Sequence, residues 1–171
     1  MLDLAGHGAV SAERIARRLN VTRGSFYHHF AHKAAFVEAL LERWEHDYTV
    51  AVIREADRER DAAGRLQRYV TVASRLRPGR EVAIRAWAAK DPRVRAALER
   101  ADHARIAFAR ELARELLPRS SPARVEAFAR VAYLGFIGLQ QTGPHDGERF
   151  TRFFDDLGLL AAAQPAARAR R

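Results

Sequence analysis

The 171-residue chain has no cysteine. That excludes disulfides, thiolate metal sites and cysteine nucleophiles, and it suits a reducing compartment. Long apolar runs are lacking as well: none approaches the ~20 residues that cross a bilayer, so no membrane partner is expected. The opening Met1-Leu2-Asp3-Leu4-Ala5-Gly6 has neither a basic stretch nor an extended apolar core, and no signal peptide is expected. A soluble, cytoplasmic protein is the expectation. The marks of common enzymes are missing too: no Gly-x-Ser-x-Gly elbow, no P-loop, no dinucleotide-binding glycine pattern and no His-Glu-x-x-His. Carboxylates fall mostly among basic residues on polar helix faces, where a shifted general acid is not expected. Neither enzymatic activity nor a cofactor is anticipated.

What is present is basic and helical. Lys and Arg number 30 against 21 Asp and Glu, a formal net charge of +9. A surplus of that size suits a polyanionic partner, because each neutralised phosphate releases a counterion; codon bias toward Arg is the competing account, so charge alone favours nucleic acid only modestly. Ala, Leu, Arg and Glu supply helix propensity throughout, and no segment alternates with period two. An all-α fold is predicted.

Local signals divide the chain. Ser11 is a candidate N-cap for a short helix through Leu19, with Ile15, Ala16 and Leu19 inward. Asn20-Val21 makes a tight turn, and Thr22 caps a second short helix holding Phe26, Tyr27 and Phe30. A long helix then starts near Lys33, with Phe36, Leu40, Trp44, Tyr48 and Val52 spaced by four and Val37 and Leu41 beside them. The charged run Glu55 to Asp61 ends it. Leu66, Tyr69, Val70, Ala73 and Leu76 form the next stripe, stopped by Pro78-Gly79, and a shorter helix carries Val82, Ala86 and Trp87. Asp91-Pro92 reads as N-cap and N1 of a long helix up to Pro118, with Val94, Leu98, Ala101, Phe108, Leu112 and Leu116 inward. Ser121-Pro122 opens the following helix in the same way.

From Val131 to Leu139 that helix is apolar nearly all round, so it requires burial on two sides, and the second side points to another subunit. Gly143-Pro144 breaks it. A last helix gathers Phe150, Phe153, Phe154, Leu157 and Leu160, and the tail from Pro165 to Arg171 reads as disordered. A homodimer through the last two helices is expected. The small residues Ala129, Ala132, Gly135 and Gly138 permit close helix packing, between subunits or within one.

Two short helices joined by a tight turn, the second opened by a capping Thr, make a helix-turn-helix whose second helix fits the DNA major groove. Gly24 allows close backbone approach, and Thr22 and Ser25 are small donors. Arg23 suits guanine or phosphate, and Tyr27 can donate its hydroxyl to a phosphate. Lys33 stands at a helix N-terminus, where dipole and ammonium both attract a phosphate. Arg14, Arg17 and Arg18 either draw DNA or form a solvated face. His28, His29 and His32 straddle a helix break and point to different faces, so no metal site is expected.

The run Ile15-Ala16, Leu19, Val21-Thr22-x-Gly24-Ser25-Phe26-Tyr27-x-His29-Phe30-x-x-Lys33 closely resembles the N-terminal domain of the TetR (tetracycline-repressor-like) family. The resemblance implies a three-helix helix-turn-helix domain followed by a helical ligand-binding and dimerisation domain. It also implies a homodimer that represses from a palindromic double-stranded DNA operator and is released by a small-molecule inducer. Carried over by position, the DNA-binding residues are Thr22, Arg23, Gly24, Ser25, Tyr27, His28, His29 and Lys33, with Phe26 and Phe30 in the core. Glu81 to Ala88, Asp91-Pro92 and Asp102-x-x-Arg105 resemble one branch of the same family.

The expected division is a DNA-binding domain over 1–54, a ligand-binding and dimerisation domain over 55–163, and a tail over 164–171. Family members usually carry a complete first helix, whereas the segment before Ser11 leaves barely one turn, so the first helix is expected to be truncated here, either because the true start lies upstream of Met1 or because the domain is shortened. The competing function is therefore a dimeric helical interaction or small-molecule-binding protein with impaired DNA binding. Tyr69, Trp87, Phe108 and Tyr133 either line a ligand pocket, with Arg85 or His103 as polar anchors, or are plain core. Asp102 and Arg105 at i,i+3 read as a helix-surface ion pair.

Overall fold

The computed structural model describes residues 13, 16–17, 20, 22–142 and 147–162; of Arg23 it describes the backbone. The expected cap at Ser11, the inward Ile15 and Leu19, the break at Gly143-Pro144 and the tail lie outside the described residues. All regular structure among the described residues is helical. Numbered from the first helix described whole, α1 spans Arg23–His29, α2 Lys33–Glu45, and a π turn His46–Val50 leads directly into α3 Ala51–Ala56. Then come α4 Ala62–Ala73, α5 Pro78–Ala88, α6 Pro92–Leu116, α7 Pro122–Gln141 and α8 Gly147–Ala162.

The caps explain the boundaries. Thr22 accepts from Ser25 N at 3.1 Å, Asp61 from Gly64 N at 2.8 Å, Asp91 from Arg93 N at 3.0 Å and Ser121 from Arg124 N at 3.3 Å. Each satisfies an N–H that the first helical turn leaves without a partner. Pro92 and Pro122 follow their caps as expected. Pro78 does the same for α5, so Pro78-Gly79 opens a helix rather than stopping one. α4 ends at Ala73, which leaves Leu76 outside the stripe assigned to it.

Two compact units emerge, 1–52 with 76–104 and 53–75 with 105–171. The first change of unit falls between Val52 and Ile53, two residues before the division expected at 54/55. Residues 76–104, however, are compact with the N-terminal part, so the units are not contiguous in sequence.

The core of the first unit gathers Phe26, Val37, Leu41, Trp44, Tyr48, Ile84, Trp87, Val94 and Ala101. Its α5 contributes Glu81, Ala83, Ile84, Trp87 and Ala88. The face expected there was different: Val82 is half-buried and Ala86 is exposed, so of the three named only Trp87 points inward. The π turn accounts for the four-residue spacing along the preceding helix. From Trp44 to Val52, eight residues of pure α-helix overshoot two full turns by about 80°. Lodging one extra residue in a π turn reduces the offset to about 20°, and Trp44, Tyr48 and Val52 are all buried.

The second unit packs α4, the later part of α6, α7 and α8 around three apolar clusters. Arg65 of α4 binds Asp57, Glu111 and Glu115 at 2.7, 2.7 and 3.1 Å. Burial tends to lower the Arg65 pKa, but the hydrogen bonds it donates to Glu111 and Asp57 outweigh it and hold the value above the usual one.

Gly135 of α7 is met by Phe153 of α8: a β-carbon there would stand 2.6 Å from the ring's Cε2 and Cζ. Close packing at this small residue is therefore within one chain. So is that of Ala129, fully buried with Ala113, Leu117 and Val125. Alanine in place of a helical glycine gains about 1 kcal/mol, whereas overpacking costs roughly 1–3 kcal/mol. Gly135→Ala is accordingly expected to destabilise the native protein and to stabilise the Phe153→Ala background by about 1 kcal/mol. Urea titration of the four-member cycle measures this; the same sign in both backgrounds refutes the steric account.

Candidate nucleic-acid interface and ligand cavity

Asn20 turns the chain with φ 54°, a left-handed conformation that asparagine tolerates better than most residues. Two positions later the Thr22 hydroxyl caps α1. Phe26 is buried and faces Phe30 and Phe36 with ring centroids 5.5 Å away in both cases, while Phe30 meets Phe36 edge-on at 5.0 Å. These rings anchor α1 against α2, so the opposite side of α1 turns outward. Tyr27 is 43% exposed, and Thr22, Gly24, His28 and His29 are exposed with it, whereas Ser25 is half-buried. Arg23 is the first residue of the helix.

Lys33, exposed, is the first residue of α2. The cap of that helix is His32, whose Nδ1 accepts from Ala35 N at 3.1 Å. Sequence reasoning weighed His32 only as a metal ligand; its place directly before Lys33 was the signal for a cap. Among the described residues no group of His, Asp and Glu has the spacing to hold a metal ion. Arg17 and Glu13 are exposed, and Arg14 and Arg18 lie outside the described residues.

Gly24 is informative because, among the described residues, nothing requires it. Of these, a β-carbon there would meet only the Thr22 hydroxyl at 3.6 Å, an ordinary contact. A glycine inside a helix costs about 1 kcal/mol against alanine, without an intramolecular return at this position.

The second unit holds a partly open cavity of about 450 Å³. Tyr69, Phe108 and Tyr133 line it, together with Phe136, Phe154 and Arg105. Tyr69 and Phe108 lie 5.3 Å apart by ring centroid. Trp87, expected among the lining residues, belongs instead to the core of the first unit, where α5 packs it near Ile84 and Val94. Neither expected polar anchor lines the cavity. Arg85 is held by Glu81 at 3.1 Å and by both oxygens of Asp102 at 2.7 and 3.0 Å. His103 is exposed, with Nδ1 donating to the Glu99 carbonyl at 3.0 Å.

The buried charged residue of the wall is Arg105, only 4% exposed. It is not the surface partner that the i,i+3 spacing to Asp102 suggested. The signal lay in the stripe itself: Val94, Ala101, Phe108 and Leu112 recur on one face of α6, and Arg105 falls between them.

Residues 2–40 match the family model described as bacterial regulatory proteins, tetR family. No curated protein and no solved structure matches the chain. This N-terminal segment is therefore similar to the DNA-binding domain of TetR-family transcription regulators. No helix among the described residues is long and apolar enough to cross a membrane.

Proposed function

We propose that the protein is a repressor that holds a palindromic operator as a homodimer and is released when a small molecule enters the cavity of the second unit. The observation that carries the DNA reading is the outward face of α1. Thr22, Gly24, Tyr27, His28 and His29 are exposed there while Phe26 is locked into the core, and Lys33 stands exposed at the start of the next helix. Thr22, Tyr27 and Lys33 take phosphates, and Arg23, Ser25, His28 and His29 lie at or beside the base edges. Gly24 lets the duplex backbone approach.

The dimer reading rests on the apolar side chains left uncovered on the last two helices. Val131 and Leu134 of α7 are 57% and 59% exposed, and Leu159 and Leu160 of α8 are 70% and 64% exposed. A second copy covers them through a two-fold interface. Mobility-shift titration against the DNA flanking its own gene tests the proposal. A saturable shift with that DNA and a weaker one with scrambled DNA are expected; equal binding to both, or none at micromolar protein, overturns it.

A further inference from the structure

We propose that the ligand of this cavity is an amphiphile with an apolar body and one acidic head group, of the kind of a medium-chain carboxylic acid, its carboxylate seated against Arg105. The proposal rests on the cavity being the effector site and adds the class of molecule. Leu66, Val70, Leu112, Phe136 and Phe154 give walls that favour an apolar body. Among the described lining residues, those charged at neutral pH are Arg105 and Asp155. Asp155 is exposed, so the charge set into the dry part of the wall is positive.

A buried guanidinium is costly in an apolar wall unless carboxylates or other acceptors surround it. Arg105 is engaged within the protein, as such a group must be. Its five N–H donors form a rigid planar fork matched to carboxylate geometry, so an acidic ligand joins or exchanges with that arrangement. A neutral apolar ligand gains nothing from the guanidinium. A cationic amphiphile is repelled by it and has only exposed Asp155 in compensation.

Calorimetric titration of the full chain with decanoate, 1-decanol and decylammonium, each below its aggregation concentration, tests this. Decanoate is expected to bind about tenfold to a hundredfold more tightly than decanol, the range of one charge-assisted hydrogen-bonded contact, and decylammonium weakest. In Arg105→Leu the preference for decanoate over decanol disappears, and in Arg105→Lys, which keeps the charge without the fork, it shrinks. The series on the unaltered protein decides without any variant should Arg105→Leu fail to fold. Equal binding of decanoate and decanol overturns the acidic-ligand proposal and leaves the effector cavity standing. Failure of all three to bind overturns the cavity as effector site, and this proposal with it.

Discussion

Lys33→Ala is expected to weaken binding to operator and scrambled DNA by the same factor, roughly tenfold per subunit. The slope of log affinity against log salt falls by about one per subunit. The reason is local. Lys33 is exposed at the first position of α2, where, in the proposed reading, helix dipole and ammonium act on the same phosphate. Phosphate contacts carry no sequence information, so discrimination between sites should survive. Arg23→Ala behaves differently. Arg23 opens α1, and if it grips a guanine bidentately as proposed, its loss lowers discrimination by roughly 1–3 kcal/mol. Fluorescence anisotropy across a salt series on both DNAs separates the two. Unchanged affinity in Lys33→Ala and in Tyr27→Phe would show the helix-turn-helix to be retained as fold alone.

Leu134→Arg is expected to give monomers by light scattering and to lower operator affinity by about 100- to 10,000-fold, the advantage that linking two half-site contacts confers. Leu134 is 59% exposed in one chain, so the substitution leaves the core of the second unit intact. Phe136 is the instructive contrast. It lies in the apolar run that pointed to a second subunit, yet it is buried against Phe150 with ring centroids 5.4 Å apart. Arginine there unfolds the unit, as loss of near-ultraviolet ellipticity and a fall in Tm would show. A Leu134→Arg protein that remains dimeric at micromolar concentration refutes the proposed interface.

Features set by neighbours in the chain were legible in the sequence. Thr22, Asp91-Pro92 and Ser121-Pro122 mark helix starts because a cap needs only a side-chain oxygen and the next three residues. The aromatic pattern of the helix-turn-helix was equally readable, since Phe26, Phe30 and Phe36 meet within eleven residues. Long-range pairing was not. Trp87 and Tyr69 look alike as aromatic residues on amphipathic helices, and only tertiary packing sends one to each unit. Arg105 and Arg85 differ likewise in which helix face meets which neighbour: one lines a cavity, the other lies between Glu81 and Asp102. Exposure of Leu134 beside buried Phe136 depends on which side of α7 faces α8, which residue type does not encode.

The π turn at His46–Val50 also determines where this chain can lose a residue. Removing one residue within it leaves an unbroken α-helix whose two halves keep their inward sides, because the turn holds one residue more than α-geometry needs. Removing one between Leu41 and Trp44 rotates everything before it by about 100° about the helix axis, and Val37 and Leu41 leave the core they share with Trp44. A family of such chains would therefore tolerate length variation at this one place in an otherwise incompressible helix.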